Sequence, residues 1–147
     1  MLSPPPRDQS GNVIPHDHQE ISAEDGIIRR ISQQQVVPGK DGKPTLSTLA
    51  VNPSSLSLGG GMSVDLQTLI ESKGVEPRSF VTQPPFIGSI RFTTQFLRSM
   101  AFQVGYDPCE DNPYHGEVWG NFSNGRKKEL LRNSEWFVPI NGVTIPA

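Results

Sequence analysis

Proline and glycine recur so often along this chain that no helix or strand can be long. The sequence contains 14 Gly and 14 Pro among 147 residues, which is above the ordinary usage of either residue, and both interrupt regular structure. Only 34% of the residues are apolar, a low fraction for a globular chain. We therefore expect short elements joined by long loops, within one domain, because this length suits a single hydrophobic core.

The order of the predicted elements favours an α+β fold. The β-branched run Gly26–Ser32 predicts the first strand. Further strands are predicted at 36–37, 45–49, 89–92, 102–106, 117–119 and 136–138, with a loop over 76–85. About three short helices are predicted, beginning at Ser63, at Thr93 or Thr94, and at Ser123. Because strands and helices alternate irregularly, we expect a mixed or largely antiparallel sheet rather than a doubly wound parallel one.

Residues 1–19 are predicted to form an extended arm, and residues 20–147 the domain. The arm contains three consecutive prolines and a single apolar pair, Val13-Ile14, so it is too polar to bury itself. It lacks the apolar core of a signal peptide, and no run of about 18 apolar residues is present to cross a membrane. The single Cys109 cannot form an internal disulfide. We therefore expect a soluble, cytoplasmic protein without membrane attachment.

Charge and motifs exclude several functions. Thirteen basic and fifteen acidic residues give a net charge of −2, so no broad positive field predicts generic nucleic-acid binding. The glycines at 59–61 lack the Gly-Lys-Ser/Thr ending of a phosphate loop and indicate instead a hinge or a tight backbone crossing. No Gly-x-Ser-x-Gly elbow is present for a serine hydrolase. Acidic neighbours would raise the pKa of the Cys109 thiol, which makes it a poor nucleophile.

The three histidines lie in two short acidic neighbourhoods. His16 and His18 flank Asp17, and His115 precedes Glu117 by two residues. In an extended segment residues i and i+2 point the same way, so each pair could present two ligand groups together. If the arm folds back against the later strand, a three-histidine, one-carboxylate site for a divalent metal such as zinc would form. Its ligands would be His16, His18, His115 and Glu117; the alternative is an arm without a metal role.

His115 and Glu117 also suit general acid–base chemistry, because imidazole titrates near neutral pH. The structural alternative is that His115 fixes a turn by bonding a backbone carbonyl, while Glu117 is solvated. Arg29 and Arg30 should point to opposite faces of the first strand, so one of them could meet an anionic group in a site. A surface salt bridge is the alternative for that arginine.

Four segments carry a resemblance to known proteins. Segments 25–32, 60–65, 105–108 and 112–120 read DGIIRRIS, GGMSVD, GYDP and NPYHGEVWG, and through them the chain from His16 onward resembles a family of small bacterial proteins. That resemblance implies a bacterial origin and a self-contained domain, and it transfers no catalytic residues. A more distant similarity to ADP-ribosyltransferase-like domains would place Arg29 or Arg30 on the first strand, a serine at 57 or 63 on a later one, and Glu117 as the later glutamate.

Two functions follow as hypotheses. Small size, many loops and the lack of a complete catalytic motif predict a bacterial accessory protein that binds another protein. The alternative is a small enzyme acting on a nucleotide or other anionic substrate, either ADP-ribosyltransferase-like or a metal-dependent hydrolase. Its candidate catalytic residues are Arg29, Arg30, His115 and Glu117. Oligomeric state and partner identity are not predicted by the sequence.

Overall fold

A six-stranded antiparallel sheet organises the fold of residues 2–147, the part of the chain that the computed structural model describes. Its strands are β1 (Gly26–Ser32), β4 (Met62–Leu66), β5 (Phe86–Thr93), β6 (Gln103–Tyr106), β7 (His115–Trp119) and β8 (Glu135–Val138). Their order is β6-β7-β4-β1-β5-β8. Two short strands, β2 (Val36–Pro38) and β3 (Pro44–Leu46), form a separate hairpin. The α+β prediction, with one domain and a largely antiparallel sheet, is confirmed.

Four α-helices lie between the strands of residues 2–147: α1 (Gln67–Ser72), α2 (Pro77–Val81), α3 (Thr94–Ser99) and α4 (Asn124–Arg132). Short 3-10 turns span Gln33–Gln35 and Thr48–Val51. The predicted cap of the second helix is confirmed, since the Thr93 hydroxyl accepts from the amide of Phe96. Across residues 2–147, the helices are too short or too polar for any of them to cross a bilayer.

The predicted helix start at Ser63 is wrong. Residues Met62–Leu66 form a strand, and the helix begins only at Gln67. The physical reason is the alternation of the strand: Met62, Val64 and Leu66 are buried in the main core, while the residues between them face the other side. Burial of every second residue, which is the strand pattern, is stronger here than the helical pattern of apolar residues.

Two predicted boundaries also change. Segment 76–85, expected as a loop, contains α2, because Pro77 occupies the first turn and the Glu76 carboxylate accepts from the amide of Arg78. The strand predicted over 45–49 ends at Leu46, where Ser47 caps the following 3-10 turn by accepting from the amide of Leu49. Both differences arise from capping by a side chain, which outweighs local composition.

The two faces of the sheet carry different chemistry. One face holds the main apolar core, where strand residues pack against α3 and α4 through buried side chains such as Ile90, Phe92, Leu97, Leu130 and Leu131. The opposite face has a smaller apolar cluster of Ile28, Ile70, Val81 and Phe137 at one end. Beside that cluster the same face becomes polar, and this polar area carries the candidate site.

Candidate functional site

Strand register places a row of polar side chains across the centre of the sheet. Ser63 pairs with Glu117 and Asp65 pairs with His115, between β4 and β7. On the next strand Ile28 pairs with Asp65, so Arg30, two residues further along β1, shares their face. The i, i+2 spacing of His115 and Glu117 therefore does bring both side chains to one surface, as the sequence indicated.

Asp107, which is not among the site residues predicted from the sequence, completes a group with these two residues. It follows β6 directly, and its amide bonds to the carbonyl of His115, which extends the pairing of β6 with β7. One potential ligand atom from each of Asp107, His115 and Glu117 lies within 4.8 Å of the others. The Asp-Pro pair at the end of a predicted strand was the available signal, but it also marks an ordinary turn.

Asp107 positions the imidazole of His115. The Nδ1 atom lies 2.7 Å from the Asp107 carbonyl oxygen and 3.5 Å from its carboxylate Oδ2, so Nδ1 carries the donated hydrogen. Burial would lower the pKa of His115, but the bonds with Asp107 outweigh it and raise that pKa above its ordinary value. For Asp107, burial would raise the pKa, whereas the bonds from His115 and Ser57 lower it.

Glu117 is a fully buried acid, with 0% of its surface exposed. The hydroxyl of Ser55 donates to Oε2 at 2.6 Å, and that of Ser63 donates to Oε1 at 3.3 Å. The expectation of a solvated Glu117 is therefore wrong. Hydroxyl donors satisfy hydrogen-bonding capacity without supplying a positive charge, so the carboxylate sits in an environment that favours a nearby cation.

The segment 52–61 covers both acids. Ser55 contacts Glu117, and the hydroxyl of Ser57 donates to Asp107 Oδ2 at 2.9 Å. The segment then passes close to β7: a Cβ added at Gly61 would lie 2.6 Å from the Val118 carbonyl oxygen. The interpretation of glycines 59–61 as a tight backbone crossing is thus confirmed at Gly61, where only glycine fits.

Arg29 and Arg30 point to opposite faces, as predicted, but neither is a solvated surface residue. Arg29 donates from its guanidinium to the carbonyls of Ala50, Asn52 and Ser63. Burial lowers its pKa to about 10, against the opposing influence of the Glu117 and Asp65 carboxylates, so it stays charged at neutral pH. Its contacts fasten the segment after β3 to the core.

Arg30 pairs with Asp65 across β1 and β4. The guanidinium donates from Nε to Oδ2 at 2.8 Å and from Nη2 to Oδ1 at 3.1 Å. Asp65 is 3% exposed, so the surface salt bridge considered from the sequence is replaced by a largely enclosed ion pair. Asn112 supports it by donating to Oδ1 of Asp65 at 2.8 Å.

A cleft of about 630 Å³ opens beside this ion pair. Both arginines, Asp65, His115 and the rings of Phe80 and Phe86 line it. Three of the four predicted catalytic candidates thus share one cleft, and the fourth, Glu117, lies behind it next to His115. Cys109 also borders the cleft, where burial and the carboxylates of Asp107 and Asp111 raise its pKa, as the acidic turn predicted.

The N-terminal histidines do not join the group. His16 Nδ1 lies 2.8 Å from the carbonyl oxygen of Ile14, and its Nε2 accepts from the amide of Tyr106 at 3.1 Å. His18 Nε2 lies 2.9 Å from the carbonyl oxygen of Ser3, and its Nδ1 accepts from the amide of Glu20 at 3.3 Å.

The arm rests on the domain close to β7, with the ring centroids of His16 and Trp119 5.3 Å apart. Its histidines are nevertheless engaged by backbone groups. Of the predicted ligands His16, His18, His115 and Glu117, the structure of residues 2–147 brings together His115 and Glu117, with Asp107 in place of the other two. The four-residue arrangement expected from the sequence does not form, because the ring nitrogens of His16 and His18 are already hydrogen-bonded to backbone groups.

Comparison of the chain with protein-family models, with curated proteins and with solved structures gives no match. The site is therefore interpreted from its own geometry: two buried carboxylates and an oriented imidazole beside a cleft that also contains an arginine–carboxylate pair.

Proposed function

We propose that the protein binds a divalent metal ion through Asp107, His115 and Glu117 and acts as a small metal-dependent hydrolase. The observation that carries the proposal is the convergence of these three ligand groups within 4.8 Å. Imidazole nitrogen and carboxylate oxygen are the ligands of catalytic zinc sites, which use three protein ligands and keep a further position open. Zinc is the metal we expect first.

Charge supports the same proposal. Glu117 and Asp107 are 0% and 8% exposed, and the acids are close neighbours. Two carboxylates in a poorly solvated place repel each other, and the neighbouring serine hydroxyls together with the imidazole of His115 offset only a part of that cost. The nearby guanidinium of Arg29 is committed to backbone carbonyls on the other face. A divalent cation would neutralise both acids at once.

The cleft supplies room for a substrate. His115 belongs both to the ligand group and to the lining of the cleft, so a metal held there would lie at its wall. Such an ion could polarise a substrate carbonyl or phosphoryl oxygen and lower the pKa of a bound water to generate the nucleophile. Hydrolysis of an ester or amide in the cleft is the reaction class that this arrangement supports best.

The first test is metal binding by protein purified without a histidine tag. Zinc and manganese titrations, followed by calorimetry and elemental analysis, should give about one bound ion for each chain. Glu117→Gln, Asp107→Asn and His115→Ala should each weaken binding by at least roughly 100-fold, since even supporting residues of metal sites cost 10- to 100-fold.

The matched controls are Asp111→Asn and Cys109→Ser, which change other potential ligands at the wall of the cleft and should leave the affinity within about twofold. Equal losses in controls and ligand variants, or a wild-type protein that binds neither metal, would overturn the proposal. Hydrolysis of nitrophenyl acetate and nitrophenyl phosphate by the loaded protein, compared with the chelated protein, then tests the reaction class.

Partner binding is a second candidate, favoured by one observation. Three of the four large apolar side chains most exposed in residues 2–147 belong to segment 49–58: Leu49 at 49%, Leu56 at 104% and Leu58 at 45%. Exposed leucines concentrated in one segment are typical of a protein-binding surface. Co-purification of a stoichiometric partner, lost in Leu56→Ser and kept in the exposed control Ile87→Ser, would support this candidate; retention by both variants would count against it.

A further inference from the structure

We infer that Arg30 forms an anchoring subsite for a carboxylate group of a small molecule bound in the cleft. The inference rests on the proposed function in placing this subsite next to a reacting centre, but the binding itself depends on residues outside the Asp107, His115 and Glu117 group. It narrows the anionic substrate predicted from the sequence to a carboxylate-bearing compound.

The guanidinium of Arg30 has a free edge. Asp65 occupies the side-on edge, made by Nε and Nη2. A guanidinium carries five N–H donors, so this pairing leaves the second fork, made by the outer hydrogens of Nη1 and Nη2. Within residues 2–147, Nη1 makes no hydrogen bond with the protein, although 79% of the side chain is enclosed, since its exposure is 21%. A planar group with two oxygens matches such a fork.

The same guanidinium is held in place before any ligand arrives. Its central carbon lies 5.3 Å from the ring centroid of Phe80 and 5.5 Å from that of Phe86. Asp65 is in turn fixed by Asn112. Because the side chain is already immobilised, binding a ligand costs little additional conformational entropy. The two rings also offer apolar surface to a flat group attached to the carboxylate.

Local charge favours a monoanion over a polyphosphate. Asp65 balances the charge of Arg30, and the other two Arg and Asp residues of the lining, Arg29 and Asp111, are also of opposite charge. A nearly neutral cleft attracts the several negative charges of a nucleoside diphosphate only weakly. A carboxylate needs only the free fork. Two strand spacings, about 10 Å, separate β1 from β7, so a small molecule anchored at Arg30 would reach His115.

The experiment is an NMR titration of the full chain with benzoate, in the presence of a chelator so that no metal contributes. We expect benzoate to shift the Arg30 guanidinium and the Phe80 and Phe86 ring resonances, while Arg91, a paired arginine outside the cleft, stays unchanged. Phenyl phosphate and benzamide, tested in parallel, should bind more weakly than benzoate.

Arg30→Lys keeps the charge but removes the second fork, and it should weaken benzoate binding by roughly tenfold or more. Arg91→Lys is the matched control and should change it by less than about twofold. Benzoate that moves no cleft resonance of the wild-type protein overturns the inference, whatever the folding of the variant. Tighter binding of phenyl phosphate overturns the choice of carboxylate. Neither result depends on metal binding, so the two proposals fail separately.

Discussion

The two faces of the central sheet differ in what they bury: one buries apolar side chains, and the other buries ionisable side chains. On one face Ile90, Phe92 and their neighbours are buried among apolar side chains from α3 and α4. On the other, the ionisable side chains of Arg30, Asp65 and Glu117 are enclosed and depend on hydrogen-bond partners. Burial of apolar area stabilises the fold directly, whereas burial of charge costs free energy unless it is compensated. The first face can therefore carry the stability that lets the second hold a site.

The largest expected effect lies on the apolar face. Phe92→Ala removes a side chain that is 1% exposed and should lower the free energy of unfolding by about 3–5 kcal/mol, since it removes buried surface and leaves a cavity. Urea denaturation measures the change. Ile87→Ala, in the same strand but 38% exposed, should cost less than about 1 kcal/mol. Similar losses for both would mean that this face does not carry the stability.

Arg29 is the charged exception on the apolar face. Arg29→Met removes the donor to three backbone carbonyls and should destabilise the protein by about 2–3 kcal/mol, because those carbonyls lose their partners. The same denaturation experiment on Arg91→Met, which loses only side-chain partners, Gln67 and the exposed Glu135, should show a loss of about 1 kcal/mol or less. If Arg29→Met instead stabilised the protein, the guanidinium would be a net cost retained for function.

Replacing Ser55 tests whether hydrogen bonds offset the cost of burying Glu117 on the polar face. Ser55→Ala removes the shorter of the two hydroxyl bonds to Glu117 and should lower the free energy of unfolding by about 1–2 kcal/mol, because a buried oxygen of Glu117 then loses its donor. Thermal denaturation is a sufficient measurement. Ser54→Ala, at an exposed neighbouring position, should change stability by about 0.5 kcal/mol or less. Equal effects would show that the serine bond does not compensate the buried acid.

The smallest effect is expected at Leu56, an exposed residue of the segment that covers the acids. Leu56 is fully exposed, so Leu56→Ser should leave the free energy of unfolding unchanged to within about 0.5 kcal/mol. A loss above about 1 kcal/mol in urea denaturation would mean that Leu56 packs against the protein in solution. In that case the cover would be held by apolar contact as well as by Ser55 and Ser57.

Predictability from the sequence differs between the fold and the site. The first strand, Gly26–Ser32, and the cap at Thr93 were predicted because their signals are local: β-branched residues in a run and a hydroxyl before a helix. Residues from Ser63 onward were predicted as helix because Ser63 suits an N-cap and Val64, Leu66, Leu69 and Ile70 share a helical face, but Met62–Leu66 forms a strand. Here the neighbouring strands β1 and β7, distant in sequence, decide the conformation.

The candidate site was predicted in part. His115 and Glu117 were selected because their spacing of two puts both on one face of a strand. Asp107 was missed because its closeness to His115 and Glu117 depends on the pairing of β6 with β7. The residues around Asp107 do not predict that register. The roles predicted for His16 and His18 required a fold-back with free imidazoles, and backbone groups of the arm, of Glu20 and of Tyr106 occupy those nitrogens instead.

The sequence by itself determined the α+β class, the short elements and the sharing of one face by His115 and Glu117. Hydrophobic periodicity and interruption by Gly and Pro act over only a few residues. Tertiary structure decided that Asp107 joins them, that Ser55 covers Glu117, and that Arg30 keeps one fork free beside a cleft. These features depend on strand register and on the path of a loop, which are set by packing between residues far apart in the chain.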